Sequence, residues 1–167
     1  MKELFTRRSV RKYLPIKVKE DDIKKLLKAG MYAPSAINEQ PWEFIVIDDE
    51  AIIKDLGSVN TRSTFIQTAP LLIIVLGNKN KYKCPLYSQD LAASTQNILL
   101  EARYLGLGTC WIGVNGLSER VNNIIEYFNL PENIEPFSMI TVGYPESEDA
   151  FFDANRENLD LIHRNRW

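Results

Sequence analysis

The first residues that could carry chemistry form a short basic cluster near the start of the chain. The run Arg7-Arg8-Ser9-Val10-Arg11 places three guanidinium groups and one hydroxyl within five residues. Guanidinium groups bind phosphate oxygens through charge-assisted hydrogen bonds, and the hydroxyl adds a further donor. The cluster therefore indicates a site for one small anion, although a solvated basic turn is the commoner explanation of such a composition taken alone.

A second candidate is a stiff polar loop at residues 33–42, with the sequence APSAINEQPW. Its two prolines restrict the backbone on either side of small and amide residues. An amide side chain both donates and accepts hydrogen bonds, as the pyrimidine ring of a flavin would require. An ordinary connection between a helix and a strand explains the same residues equally well.

A third candidate is the glycine-rich run GLGTCWIG at residues 106–113. A dinucleotide-binding fingerprint follows a strand and opens a helix, whereas these glycines follow a predicted helix and precede a predicted strand. We interpret Gly106 and Gly108 as residues that end the helix and turn the chain. Ile112 and Gly113 lie late in the strand, where a glycine lets the backbone approach a flat ligand closely.

The fourth candidate is the basic tail, which contains Arg156 and ends in HRNRW at residues 163–167. A frayed terminus is its simplest interpretation. His163 has no recognisable nucleophile or acid partner, so we expect no catalytic side chain. Cys84 and Cys110 have no spacing suited to zinc, so we expect no metal site.

The order of these four motifs resembles the nitroreductase-like family of FMN-dependent oxidoreductases. The motifs RRSxR, PSxxNxQPW, GLGTCWIG and HRNRW follow one another along the chain, and the resemblance covers about residues 4–167. It implies an α+β sandwich with a mixed central β-sheet flanked by helices. It also implies an intertwined homodimer with two FMN sites at the subunit interface, here in a compact member of the family.

The resemblance implies which residues hold the FMN phosphate and the polar side of the flavin. Arg7 and Ser9 would face the phosphate, with Arg8 shaping that turn. Arg156 would return to the phosphate from the tail. Arg11 would reach the ribityl chain or the pyrimidine edge, where a cation stabilises the negative charge of reduced flavin.

Further contacts are implied from the loop and the strand. Pro34, Ser35 and Asn38 would line the site from the second subunit, and Gln40 would support that loop. Ile112 and Gly113 would offer backbone groups near N5 and O4 of the flavin. Larger relatives use an asparagine and a lysine in a loop that corresponds loosely to Asn60 and Arg62, which we leave unassigned.

Hydrophobic periodicity predicts the elements that position these residues. Helices are predicted at residues 21–31, 50–56, 86–105 and 121–128. Strands are predicted at residues 42–47, 71–76, 109–114 and 137–142. Gly57 is expected to close the second helix, and residues 60–68 are expected to form a loop.

Length and composition predict a single soluble domain over residues 1–167. Given the homodimer that the resemblance implies, we expect residues 146–167 to form an extension that packs on the partner subunit, because this polar tail ends in Trp167. Hydrophobic residues make up 45% of the chain, charged residues 25%, and the net charge is -2. This charge argues against a nucleic-acid partner. The longest apolar run, residues 71–76, is too short to span a bilayer. Two cysteines without a disulfide pattern favour the cytoplasm.

The resulting functional hypothesis is an FMN-dependent enzyme that uses NADH or NADPH to reduce small acceptors, such as nitroaromatics or quinones, by a ping-pong mechanism. Two alternatives remain open at the level of the sequence. One is a flavin-binding module that stores FMN or senses redox state without substantial turnover. The other is a specialised family member such as a reductive dehalogenase.

Overall fold

The computed structural model describes residues 2–59 and 63–167, which form helices and strands in mixed order. The helices are α1 (Lys2–Thr6), α2 (Glu20–Met31), α3 (Glu50–Val59), α4 (Tyr87–Tyr104) and α5 (Ser118–Phe128). The strands are β1 (Trp42–Ile47), β2 (Leu71–Asn78), β3 (Gly108–Gly113) and β4 (Ile134–Gly143). The predicted α+β class is confirmed, and each predicted helix and strand is present with ends shifted by a few residues.

The four strands form one sheet in the order β1-β2-β4-β3, and each of these pairings is antiparallel. A parallel bridge joins Ser9 to Thr109 on β3. Because β4 occupies the other side of β3, this bridge lies on the outer edge of the sheet. Among the described residues the four-stranded sheet is therefore antiparallel, and the parallel pairing expected of a mixed sheet is limited to this isolated bridge from the N-terminal segment.

Strand β2 is buried on both faces, which explains its continuous apolar sequence. Alternate residues of the strand serve two different hydrophobic cores. The core shared with α2 and α4 receives Leu71, Ile73 and Val75. The core shared with α3 and α5 receives Leu72, Ile74 and Leu76. The sheet is thus the middle layer of a sandwich, as predicted.

Helix α4 has the inward stripe that its sequence predicts. The residues of that stripe are all buried, namely Leu91, Ser94, Thr95, Ile98, Leu99 and Ala102. Gly30 of α2 lies against the stripe, where an added Cβ would come within 3.0 Å of the Ile98 side chain. This close approach fixes α2, and hence the loop that follows it, on α4.

Two predictions about α3 and its surroundings are wrong. Gly57 does not close α3, which continues to Val59. Gly57 is instead a packing position, since a Cβ there would lie 2.3 Å from the Gln67 side chain. The predicted loop contains a 3-10 turn over Thr64–Thr68, while Asn60 and Arg62 lie outside the described residues.

The C-terminal tail, residues 146–167, contacts the body of the chain at Phe152, whose ring centroid lies 4.7 Å from the Arg8 guanidinium. It contains two short 3-10 turns, Glu148–Ala150 and Leu159–Leu161. The apolar side chains near its end are exposed, namely Leu159, Leu161, Ile162 and Trp167. Among the helices in the described part of the chain, none has the length and apolar character needed to cross a membrane.

Candidate flavin-binding site

The basic segment at the start of the chain lies along β3. Besides the Ser9 bridge, the Val10 N–H donates to the Thr109 carbonyl at 2.8 Å. Val10 packs directly on Gly108, where an added Cβ would lie 2.8 Å from the Val10 Cβ. Gly108 is therefore needed for close packing, a role that the turn interpretation missed. The contact fixes where the neighbouring arginines emerge.

Arg7 and Arg156, two predicted phosphate ligands, come together with Arg8 beside this segment. Burial lowers the pKa of Arg7, and the nearby positive charges of Arg8 and Arg156 lower it further. Arg8 donates from Nη1 to the Arg7 carbonyl at 2.6 Å, and its guanidinium lies 4.7 Å from the Phe152 ring centroid. Its Nε is buried and has no hydrogen-bond partner among the described residues.

In the part of the chain that the structure describes, none of these three arginines forms an ion pair. Each ion pair formed by the described side chains uses a lysine. Arg7, Arg8 and Arg156 line a cleft of about 500 Å³, which Asp153 and Glu157 also line. Clustered guanidinium groups with an unsatisfied buried donor suit an anion that has several acceptor oxygens, and a phosphate group has this chemistry.

Ser9 and Arg11 occupy the adjoining surface. With Arg8 and Arg156 they line a second cleft of about 550 Å³. Burial raises the pKa of the Cys110 thiol, although Ser9 and Arg11 approach it and act in the opposite direction. The arginine cluster therefore extends along β3 to the neighbourhood of Cys110.

The polar loop adopts an unusual backbone. Residues Ala36–Asn38 form a 3-10 turn. Ile37, Asn38 and Gln40 have positive φ angles of 44°, 59° and 50°. Such conformations cost about 1–3 kcal/mol each in residues other than glycine, and they persist only where the surroundings impose them. The outlier is clearest at Ile37, which is β-branched and 75% exposed.

Gln40 holds the two polar side chains of the loop in fixed orientations. Its backbone N–H donates to the Ser35 hydroxyl at 3.0 Å, and its Nε2 donates to Asn38 Oδ1 at 2.8 Å. The Asn38 amide nitrogen thereby remains available as a donor. Gln40, which the sequence marks only as a supporting residue, thus orients both candidate ligands. Pro34 precedes them on the exposed side of the loop.

Ile112 and Gly113, the two candidate residues on β3, differ in which of their groups a ligand could reach. The Ile112 side chain is buried in the core with α3 and α5. The Thr109 carbonyl faces the N-terminal segment, so the backbone groups of Trp111 and Gly113 point away from β4 as well. The Gly113 carbonyl accepts a hydrogen bond from Arg120 at 2.7 Å. Gly113 is therefore the residue of this pair with an outward-facing peptide.

The arginine cluster and the polar loop line different clefts of the chain. Neither cleft bordered by the arginines includes a residue of the loop. The loop residue Asn38 lines another cleft, of about 800 Å³, together with Trp42 and Lys81. The structure thus groups Arg7, Arg8, Ser9, Arg11 and Arg156, and it leaves Pro34, Ser35 and Asn38 apart from that group.

Comparison with known proteins gives the class to which this fold and site belong. The profile of the nitroreductase family matches residues 4–64 and 57–144, more than half of the chain. The chain therefore belongs to the nitroreductase family, and the resemblance seen in its motifs is confirmed.

Individual relatives support the assignment over the whole length. A protein of Archaeoglobus fulgidus, provisionally named an NADH dehydrogenase/NAD(P)H nitroreductase, is 42% identical over 170 residues, covering 100% of this chain and 98% of its own. A solved structure from Clostridium acetobutylicum, provisionally named an NADH oxidase, is 46% identical with a TM-score of 0.94 and 99% coverage of both chains. An FMN-dependent nitroreductase from Clostridium difficile R20291 is 30% identical with a TM-score of 0.90, covering 99% of this chain and 98% of its own.

Proposed function

We propose that this chain is an FMN-dependent oxidoreductase that uses NADH or NADPH to reduce small acceptors, such as nitroaromatics or quinones, by a ping-pong mechanism. The observation that carries the proposal is the cluster of Arg7, Arg8 and Arg156, which has an unsatisfied buried donor. Relatives named as an FMN-dependent nitroreductase and an NAD(P)H nitroreductase support the same cofactors.

The chain's own residues would bind and polarise the cofactor. Arg7, Arg8, Ser9 and Arg156 would hold the FMN phosphate. Arg11 would lie toward the ribityl chain and pyrimidine edge, and its positive charge would stabilise negative charge there. When bound, FMN supplies the hydride-accepting and hydride-donating chemistry, so no catalytic side chain is required.

We further propose that each site is completed by a second subunit. Pro34, Ser35 and Asn38 would reach the flavin of the partner, and Gly113, with Ile112 behind it, would approach the ring from the same chain as the arginines. The separation of the loop cleft from the arginine clefts within one chain supports this arrangement.

The tail gives a second argument for a homodimer. Leu159, Leu161 and Ile162 are 68%, 75% and 63% exposed. Contiguous exposed apolar residues are characteristic of interaction surfaces. Packing residues 146–167 on a partner would bury them and would hold Arg156 at the phosphate. The two cysteines are free in the structure, which agrees with a cytoplasmic enzyme.

The proposal is tested by the flavin content and turnover of the purified protein. We expect a yellow protein that releases FMN, rather than FAD, on denaturation, and that oxidises NADH or NADPH when a quinone or nitroaromatic acceptor is added. A colourless protein that FMN cannot reconstitute would refute the cofactor assignment. Bound FMN without acceptor-dependent turnover would instead identify a storage or sensing module.

A further inference from the structure

Asp90 is a buried acidic residue that contacts the polar loop from behind. It lies in the first turn of α4 and is only 5% exposed. Its Oδ1 accepts a hydrogen bond from the Ala36 N–H at 3.0 Å. Its Oδ2 is buried and has no hydrogen-bond partner among the described residues. The ion pairs of the described side chains do not include it.

This placement is unfavourable for folding alone. A buried carboxylate without a countercharge loses its hydration and recovers only part of that loss through one hydrogen bond. The positive end of the α4 dipole compensates in part, because Asp90 lies in the first turn. An apolar side chain at the same position would avoid the penalty. What an apolar side chain could not provide is the hydrogen bond that the carboxylate accepts from the Ala36 N–H of the loop.

The bonded N–H belongs to the residue next to the strained part of the loop. Ala36 lies between Ser35, whose hydroxyl accepts from Gln40, and Ile37, the first residue with positive φ. Fixing the Ala36 peptide on α4 therefore constrains the direction in which Ser35 and Asn38 point. α4 is in turn held by the core that it shares with α2 and β2, so the constraint on the loop is anchored in the packed part of the fold.

We propose that Asp90 is a positioning residue that holds the flavin-facing loop in its left-handed conformation through the Ala36 N–H. The inference rests on the proposed function, because it assigns the loop to an FMN site. It predicts that Asp90 acts on flavin binding and flavin environment while contributing little to the stability of the FMN-free chain.

Three variants separate these effects. Asp90→Ala removes the acceptor, whereas Asp90→Asn retains an acceptor oxygen and removes the charge. Ser94→Ala is the matched control, since Ser94 lies one turn further along α4, is fully buried and also has an unpartnered side-chain oxygen. For each protein we would measure FMN affinity by titration, the visible circular dichroism of bound flavin, and thermal unfolding without FMN.

We expect Asp90→Ala to bind FMN about tenfold more weakly, the change that loss of one hydrogen bond can produce. Its flavin dichroism should change, while its FMN-free unfolding midpoint should stay the same or rise. Asp90→Asn should restore most of the affinity and the wild-type dichroism. Ser94→Ala should match wild type in both flavin measurements.

Several results would overturn the inference. One is wild-type affinity and dichroism in Asp90→Ala. Another is an Asp90→Asn protein as impaired as Asp90→Ala, since the retained acceptor would then be irrelevant. Loss of cooperative unfolding in FMN-free Asp90→Ala would assign the residue to the fold instead. If wild-type protein binds no FMN, the proposed function fails and this inference fails with it, a result distinct from the other three.

Discussion

Replacing Gly108 with alanine tests how the arginine segment is positioned on the sheet. The new Cβ would lie 2.8 Å from both Cβ and Cγ1 of Val10 and 2.9 Å from its Cγ2. These separations are well inside the optimum of about 3.5–4.0 Å for carbon atoms. Overpacking of this kind costs about 1–3 kcal/mol. We therefore expect the FMN-free variant to unfold roughly 2–12 °C below wild type.

The same change should weaken FMN binding, because Val10 is hydrogen-bonded to β3 and directly follows the proposed phosphate-binding residues. If about 1.4 kcal/mol of the strain is relieved by displacing that segment, FMN affinity falls about tenfold. The control for stability is Gly113→Ala on the same strand, since a Cβ there meets nothing within 4 Å. Its unfolding free energy should stay within about 0.5 kcal/mol of wild type.

Thermal unfolding of the FMN-free proteins and flavin titration provide the assay. The reasoning is refuted if Gly108→Ala and wild type unfold at the same temperature, or if Gly113→Ala is destabilised as much as Gly108→Ala. A destabilised Gly108→Ala protein with unchanged FMN affinity would show that Val10 packing does not position the arginines.

Three further predictions concern the two halves of the site. Arg7→Ala should weaken FMN binding about ten- to hundredfold in a flavin titration, whereas Lys24→Ala on the exposed face of α2 should not; equal affinities would contradict the phosphate assignment. Deleting residues 153–167 should shift the protein toward monomer in size-exclusion chromatography, and an FMN-loaded truncated dimer would argue against the role of the tail. Co-expressed Arg7→Ala and Asn38→Ala chains, each inactive alone, should partly recover activity, because half of the sites in a mixed dimer carry neither lesion; a verified mixed dimer without activity would exclude shared sites.

The sequence predicts those parts of the fold that depend on local periodicity. The buried stripe of α4 and the continuous apolar run of β2 are both visible as patterns in the chain, and both are present in the structure. The predictions that Gly57 closes α3 and that Gly108 only turns the chain are wrong for a common reason. A glycine needed for a turn and one needed for close packing look alike in sequence, and the neighbours that decide, Gln67 and Val10, become adjacent only on folding.

The arginine cluster was predictable because its members are close in sequence and form part of an ordered set of motifs. Asp90 was not, because its partner Ala36 lies 54 residues away. One feature of the sequence does point to Asp90. Asp90 lies four residues before Ser94 and so extends the inward stripe of α4, and a charged residue in an otherwise buried stripe is uncommon enough to require an explanation. The hydrogen bond from the Ala36 N–H supplies that explanation.

The distribution of unsatisfied groups indicates how cofactor and partner would act together. Buried polar atoms in folded proteins nearly all have partners. Here the unsatisfied ones include Arg8 Nε beside the arginine clefts and Asp90 Oδ2 behind the loop, while the tail exposes apolar side chains such as Leu161. A phosphate would satisfy the arginine and a second subunit would cover the tail, so each binding event stabilises the folded chain. Because the tail also carries Arg156, ordering the tail on a partner would strengthen the proposed phosphate site, and by reciprocity FMN would strengthen the dimer by the same factor. FMN titration at several protein concentrations should therefore show tighter binding as the dimer becomes populated, and an affinity independent of concentration across the monomer–dimer transition would exclude this coupling.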